Sequence, residues 1–376
     1  MLKILNRNEL TNEIAVVVGT RPGIIKFSPV VRALRQNNVP FFIIHTGQHY
    51  SYNMDRKFFE DLSLPEPRYT NDIVCKEVYH GAQTAEMLKG IEKALLDSKP
   101  SIVIVGGDAN TNLAGALAAR KLGLCLAHME AGLRSHDWRM PEEHNRIMID
   151  HISDVLFPPT EQAKKNLIDD NVKADIYVVG NPIVDAVYQN IKIAEEKSSV
   201  LSRLSVDKKY FLLTIHREEN VDHEKILKEL IENIGSVIRE FKTPVVFPIH
   251  PRTKNRLKQY KLWEWTKSIN KLRIIDALGY IDFLLLIKKA SLILTDSGGI
   301  QEEACILNIP CVTLRENTER PETVHVGANQ IVGYNLELTL RAIKDYLKNP
   351  RSWQNPFGDG KSAQRIVKTL KKYLRS

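Results

Sequence analysis

Ionisable residues crowd one stretch of this sequence, His128-Met129-Glu130-Ala131-Gly132-Leu133-Arg134-Ser135-His136-Asp137-Trp138-Arg139-Met140-Pro141-Glu142-Glu143-His144-Asn145-Arg146. Nineteen residues hold three glutamates, three histidines and three arginines, more charge than a connecting loop needs. Carboxylates held in different surroundings divide into a base and an acid, because burial raises one pKa while a neighbouring cation lowers another. Proton transfer is therefore the chemistry that this spacing suggests. The plain alternative stays open: acids after Pro141 also suit a helix N-terminus by opposing its dipole, with the arginines as surface partners.

Other candidates stand where apolar runs end. Gly19-Thr20-Arg21-Pro22-Gly23-Ile24-Ile25-Lys26 follows the first run, and helix-start amides with Arg21 and Lys26 would bind an anion. Gly106-Gly107-Asp108 would present Asp108 at a strand end, unless that residue merely caps the helix starting near Ala109. His45-Thr46-Gly47-Gln48-His49, His216-Arg217 and His250-Pro251-Arg252 also follow runs. Asp296-Ser297-Gly298-Gly299 then Glu303 reads as strand, small-residue turn and helix. Ser297, Gly298 and Gly299 would give a diphosphate hydroxyl and amide donors, and Glu303 could accept from a ribose diol; a plain capping turn is the alternative. Arg320, in a charged loop, is a candidate phosphate or base contact.

The elements carrying these residues alternate. Ile14–Val18, Phe41–His45, Ser101–Val105, Leu124–His128 and Val155–Phe157 read as strands separated by helical patterns. A second series is Tyr210–Ile215, Val245–Ile249, Leu272–Ile275, Leu292–Thr295 and Pro310–Thr313. Such alternation predicts an α/β fold of βαβ units with parallel sheets, arranged as two Rossmann-like domains. The expected divisions are 1–180, 181–359 beginning at the Gly180-Asn181-Pro182 turn, and a C-terminal helical segment 360–376 that returns to the first domain.

A length of 376 residues suits two domains, and 43% hydrophobic with 26% charged residues is ordinary for a globular chain. The net charge of +8 favours anionic partners, but scattered basic residues without a nucleic-acid motif argue against nucleic acid. Cys75, Cys125, Cys305 and Cys311 form neither a C-x-x-C pair nor a disulfide framework and read as reduced thiols of a cytoplasmic protein, and no metal motif appears. The start does not read as a signal peptide, and Ile281–Leu294, interrupted by Lys288 and Lys289, is no membrane span.

Taken together and in order, these motifs resemble the non-hydrolysing UDP-N-acetylglucosamine 2-epimerase family. The residues carrying the resemblance are Gly19 to Pro22 with Lys26, Thr46 to His49, Gly107-Asp108, His128 to Gly132, Pro141 to Glu143 with Asn145-Arg146, His216-Arg217, Asp296 to Glu303, and Thr318 to Glu322. The resemblance implies two Rossmann-like domains facing across a cleft in the GT-B manner, usually as a homodimer, with no metal or nicotinamide cofactor. It implies inversion at C2 of a UDP-sugar through elimination of UDP to a 2-acetamidoglucal and re-addition. By family match, Asp108, Glu130 and Glu142 are the acid/base carboxylates and His216 assists the leaving phosphate. Arg21, Lys26, Gln48, His49, Arg134, Arg146, His250, Ser297, Gly298, Gly299, Glu303 and Arg320 contact substrate. Gly23 and Ala109 depart from the family's usual carboxylate and hydroxyl at those points, which is expected to lower activity or shift substrate choice. The alternatives are a C2 epimerase of another UDP-sugar, such as UDP-N-acetyl-fucosamine or a diacetamido-uronate, a GT-B glycosyltransferase, and a non-catalytic UDP-sugar binder.

Overall fold

The computed structural model describes residues 4–47, 52–70, 79–205 and 209–374. Contacts divide the chain into two units, Met1–Gln189 with Phe357–Ser376, and Asn190–Pro356.

The first unit is built on a six-stranded parallel sheet: β1 (Thr11–Val18), β2 (Phe41–His45), β3 (Pro100–Gly106), β4 (Cys125–Met129), β5 (Val155–Phe157) and β6 (Asp175–Ile176), in the order β2-β1-β3-β4-β5-β6. Ile14 to Val18 and Ile102 to Val105 are buried without a polar interruption, as strands covered on both faces must be. The helix Arg21–Gln36 buries Ile24, Phe27, Val31 and Leu34, spaced to fall on one helical face. Its first turn is fixed by the Thr20 hydroxyl, which accepts from the Gly23 amide at 3.2 Å, and by Pro22. Strand order reverses between β1 and β3, so the turns after these two strands part and leave a crevice at the carboxyl edge.

The second sheet contains β7 (Phe211–Thr214), β8 (Val245–Ile249), β9 (Leu272–Asp276), β10 (Leu292–Thr295), β11 (Cys311–Thr313) and β12 (Asn329–Ile331), all parallel, in the order β12-β11-β10-β7-β8-β9. This is the order of a dinucleotide-type Rossmann sheet, with its reversal between β7 and β10. Its core includes Phe211, Leu213, Phe247 and Leu294 from the strands, with Leu230, Ile231 and Ile234 from the helix Glu224–Phe241.

The contact division falls within the helix Pro182–Lys197 rather than at the turn before it. Asp185 in that helix explains why: its carboxylate accepts the amides of Ser362 at 3.1 Å and Ala363 at 3.0 Å, filling the N-terminus of the last helix, Ser362–Leu370. That last helix packs on Arg21–Gln36. Among the described residues, no helix is long and apolar enough to cross a membrane.

Candidate functional site

In the first unit, the turns after β1, β3 and β4 gather a set of charged side chains. The β1 turn begins at Gly19, where a Cβ would lie 2.1 Å from the Thr111 hydroxyl and 2.2 Å from that of Thr46. Only glycine lets the backbone pass this hydroxyl pair, whose own separation is 2.8 Å. Lys26, one turn into the following helix, reaches Glu130 with Nζ 2.7 Å from Oε1 and 2.9 Å from Oε2. Glu130 directly follows β4 in the left-handed region, at φ 62°, a conformation a glutamate adopts only at a cost and one common at functional sites. Its carboxylate packs on Gly107, where a Cβ would come within 3.0 Å of Oε2.

Asp108 follows directly. Its Oδ2 pairs with Arg146 Nη2 at 2.5 Å, and its backbone carbonyl accepts from Asn145 Nδ2 at 2.8 Å. It does not cap the next helix: the cap position of Asn110–Lys121 is Ala109, and no side chain fills it. The helix Pro141–Ile152 contributes Glu142 and Glu143 from its first turn with opposite roles. Glu143 is buried and accepts from the Ser135 amide and hydroxyl, both at 2.9 Å, from the His136 amide at 3.0 Å and from Arg146 at 2.8 Å. Burial alone would push this carboxyl up; those donors more than offset it and hold it below the usual carboxylate range. Glu142 makes no hydrogen bond or ion pair with the described residues and is half-buried, so it is the carboxylate left available for other chemistry.

Behind these groups lies a buried frame. His128 places Nδ1 2.8 Å from Asp150 Oδ1 and Nε2 3.2 Å from the Gly107 carbonyl, tying β4 to the turn that carries Asp108. Asp150 Oδ2 accepts from the Gly132 amide at 3.1 Å and pairs with Arg134 at 2.8 Å. Arg134 also pairs with Asp170 at 2.8 Å, and its side chain is only 3% exposed. Arg134, expected at the substrate, is therefore turned inward, because two carboxylates within the same unit use its fork of donors.

In the second unit, the turns after β7 and β10 are tied together by Asp296. It is fully buried, and Oδ2 accepts from the amides of His216 and Arg217, each at 2.9 Å, and from Asn220 Nδ2 at 3.1 Å. Oδ1 lies 3.1 Å from His216 Nδ1. Burial opposes its charge, but the bond and charge of His216 with the two amides hold Asp296 below the usual carboxylate range. The His250 ring lies 5.5 Å from that of His216, and His250 Nδ1 accepts from the Arg252 amide at 3.2 Å. Burial, then the charges of His216 and Arg252, hold His250 below the ordinary imidazole range.

Ser297 stands at the cap of the helix Gly298–Ile306, but its side chain makes no capping bond. Glu303 is buried deeply enough for desolvation to raise its carboxyl to about 8, against the effect of a bond to Tyr280. Burial thus favours its neutral form, which can both donate to and accept from a diol. Arg320 has Nε 2.6 Å from Glu302 Oε1, so a negative group already balances its charge.

The structure thus groups Lys26, Asp108, Glu130 and Arg146 at one sheet edge, and His216, His250 and the turn Ser297-Gly298-Gly299 at the other sheet's edge. Arg21 lies with its guanidinium 5.8 Å from the Phe58 ring. Gln48 and His49 lie outside the described residues. Glu143, Asp150 and Asp296 were given no individual role from sequence; the only signal that could have marked them was an acid next to a motif residue.

The family model described as UDP-N-acetylglucosamine 2-epimerase matches residues 32–371. The chain is 54% identical to the UDP-N-acetylglucosamine 2-epimerase of Methanocaldococcus jannaschii over 362 residues, 95% of this chain and 98% of that one. It is 39% identical to the UDP-2,3-diacetamido-2,3-dideoxy-D-glucuronate 2-epimerase of Pseudomonas aeruginosa, over 96% of this chain and 99% of that one. The solved M. jannaschii UDP-GlcNAc 2-epimerase superposes with a TM-score of 0.87 at 52% identity, covering 96% of this chain and 99% of that chain. The crystal structure of the M. jannaschii enzyme in complex with UDP-GlcNAc and UDP gives 0.83 at 54% identity, with the same coverage of 96% and 99%.

Proposed function

Since the chain belongs to the UDP-N-acetylglucosamine 2-epimerase family, we propose that it interconverts UDP-GlcNAc and UDP-ManNAc by eliminating UDP to 2-acetamidoglucal and re-adding it with inversion at C2. The observation that carries this reading is the grouping of Asp108, after β3, and Glu130, after β4, with the cations Arg146 and Lys26 that pair with them from the neighbouring helices. Breaking the C1–O bond while the C2 proton leaves needs a positioned base, compensation for the departing diphosphate and a proton donor for the return. Asp108, Glu130 and Glu142 are the acid/base set. Arg146 and Lys26 pair with Asp108 and Glu130 and fix their positions, and Glu142 is the uncommitted one. His216, with the turn Ser297-Gly298-Gly299, takes the diphosphate, and protonated Glu303 takes the ribose diol. Arg21, His250 and Arg320 supply further polar contacts. A homodimer acting in the cytoplasm, as the resemblance implies, completes the proposal.

The second reading, a C2 epimerase of a diacetamido-uronate, is favoured by the Pseudomonas aeruginosa relative. Comparing kcat/KM for UDP-GlcNAc with that for the diacetamido-uronate separates the two. A higher value for UDP-GlcNAc supports the proposal, and turnover of the uronate alone would replace it.

A further inference from the structure

We infer that Glu319 stands in for the diphosphate: its carboxylate, set at the Gly298 turn between Arg217 and Arg315, gives way when a diphosphate binds and hands both arginines to it. The inference deepens the function proposed above and rests on its placement of the diphosphate at the turn Ser297-Gly298-Gly299.

Glu319 brings a carboxylate to an anion site. Its Oε2 lies 3.5 Å from where a Cβ on Gly298 would stand, at the first residue of the helix Gly298–Ile306. The N-terminus of a helix favours negative charge, and a glutamate meets that preference as a phosphate would. The same carboxylate spans two cations, with Oε2 3.7 Å from Arg217 Nη2 and Oε1 3.6 Å from Arg315 Nη1. Both gaps exceed a hydrogen bond. Arg217 Nε and Arg315 Nη1 are buried and have no hydrogen-bond partner among the described residues. Leaving such charged donors unmatched is costly, and an arriving oxyanion would supply the missing acceptors.

Other ion pairs around this turn are closer. Arg315 Nε lies 2.9 Å from Glu219 Oε1, and Arg320 Nε lies 2.6 Å from Glu302 Oε1. Those pairs anchor their guanidinium groups, and Arg315 is thereby left with Nη1 for a second partner. The Glu319 pairs are long, and its side chain is 49% exposed, so it can turn into solvent. A diphosphate carries more charge than one carboxylate and offers oxygens to the turn amides and both arginines at once, so it prevails in the exchange.

The test is titration calorimetry of the full chain with UDP. Glu319→Gln removes the competing charge and is expected to tighten UDP binding about 2- to 5-fold, the scale of an exposed ion pair. Arg217→Gln is expected to weaken it about 10- to 100-fold, as loss of a hydrogen bond to a charged group does. Glu316→Gln neutralises an acid of the same loop whose side chain lies beside Gly333, and is expected to leave the affinity unchanged. Unchanged or weaker binding by Glu319→Gln would overturn the inference. Equal tightening by Glu316→Gln would also overturn it, since the loop's overall charge would then be the cause, and so would wild-type affinity in a folded Arg217→Gln. Glu319→Gln alone decides the matter if Arg217→Gln does not fold. A wild-type protein that binds no UDP would remove the proposed function and this inference with it, whereas UDP binding indifferent to Glu319 removes the inference alone.

Discussion

Gly299→Ala should make the protein more stable and its diphosphate site worse. Gly298 and Gly299 open the helix Gly298–Ile306, and neither has a positive φ. A Cβ on Gly299 would meet no atom within 4 Å, and one on Gly298 would first meet Glu319 Oε2 at 3.5 Å. Nothing within the protein requires glycine here, although glycine in a helix is less stable than alanine by roughly 0.5–1 kcal/mol. In a domain of this size that gain raises Tm by about 1–4 °C. A phosphate oxygen bonding the turn's amides at ~2.9 Å would need the space that the new methyl takes. Loss of one hydrogen bond to a charged group, about 1.5–3 kcal/mol, weakens UDP binding by about 10- to 100-fold. Calorimetric melting without ligand gives the first quantity, and titration calorimetry with UDP gives the second. A higher Tm with unchanged UDP affinity would refute the placement of the diphosphate at this turn. A lower Tm would show that the glycine serves the fold.

Three further outcomes follow from the same geometry. Asp108→Asn, Glu130→Gln and Glu142→Gln each lower the epimerisation rate ~10²–10⁴-fold, as loss of a general acid or base does, and near-wild-type rates in all three would contradict the assignment. Arg134→Ala leaves Asp150 buried without its cation and costs about 3–5 kcal/mol in urea denaturation; unchanged stability with a raised KM would return Arg134 to the substrate. Glu303 binds its proton more tightly when folded, with a pKa of about 8, than when unfolded, so stability is full below about pH 4.3 and is lost as pH rises through 8. Glu303→Gln therefore raises Tm at pH 8.5 and leaves it nearly unchanged at pH 4; equal shifts at both would argue against a protonated Glu303.

The long apolar runs made the architecture legible. Phe41–His45, Val155–Phe157, Val245–Ile249 and Leu292–Thr295 are strands with the bounds their composition predicts, because strands buried on both faces tolerate few polar residues. Strands β6 (Asp175–Ile176) and β12 (Asn329–Ile331) escape such a reading: two or three residues at a sheet edge, one an exposed acid, carry no run. The site was legible as a set of motifs but not as a division of labour. Adjacent Glu142 and Glu143 look alike in sequence, yet one helical step directs Glu143 into the amides of Ser135 and His136 and leaves Glu142 uncommitted. Arg134 reads as a substrate contact in sequence, which gives no sign that Asp170, far from it along the chain, accepts from its Nε and Nη2. Such pairings depend on tertiary proximity, which spacing does not encode.

The most direct test of the central claim is proton NMR of UDP-GlcNAc incubated with the purified protein in deuterated water. Removal and return of the C2 proton would give UDP-ManNAc signals together with deuterium at C2 of both sugars. UDP-ManNAc appearing with its C2 proton retained, or tight UDP binding with neither exchange nor epimerisation, would contradict it.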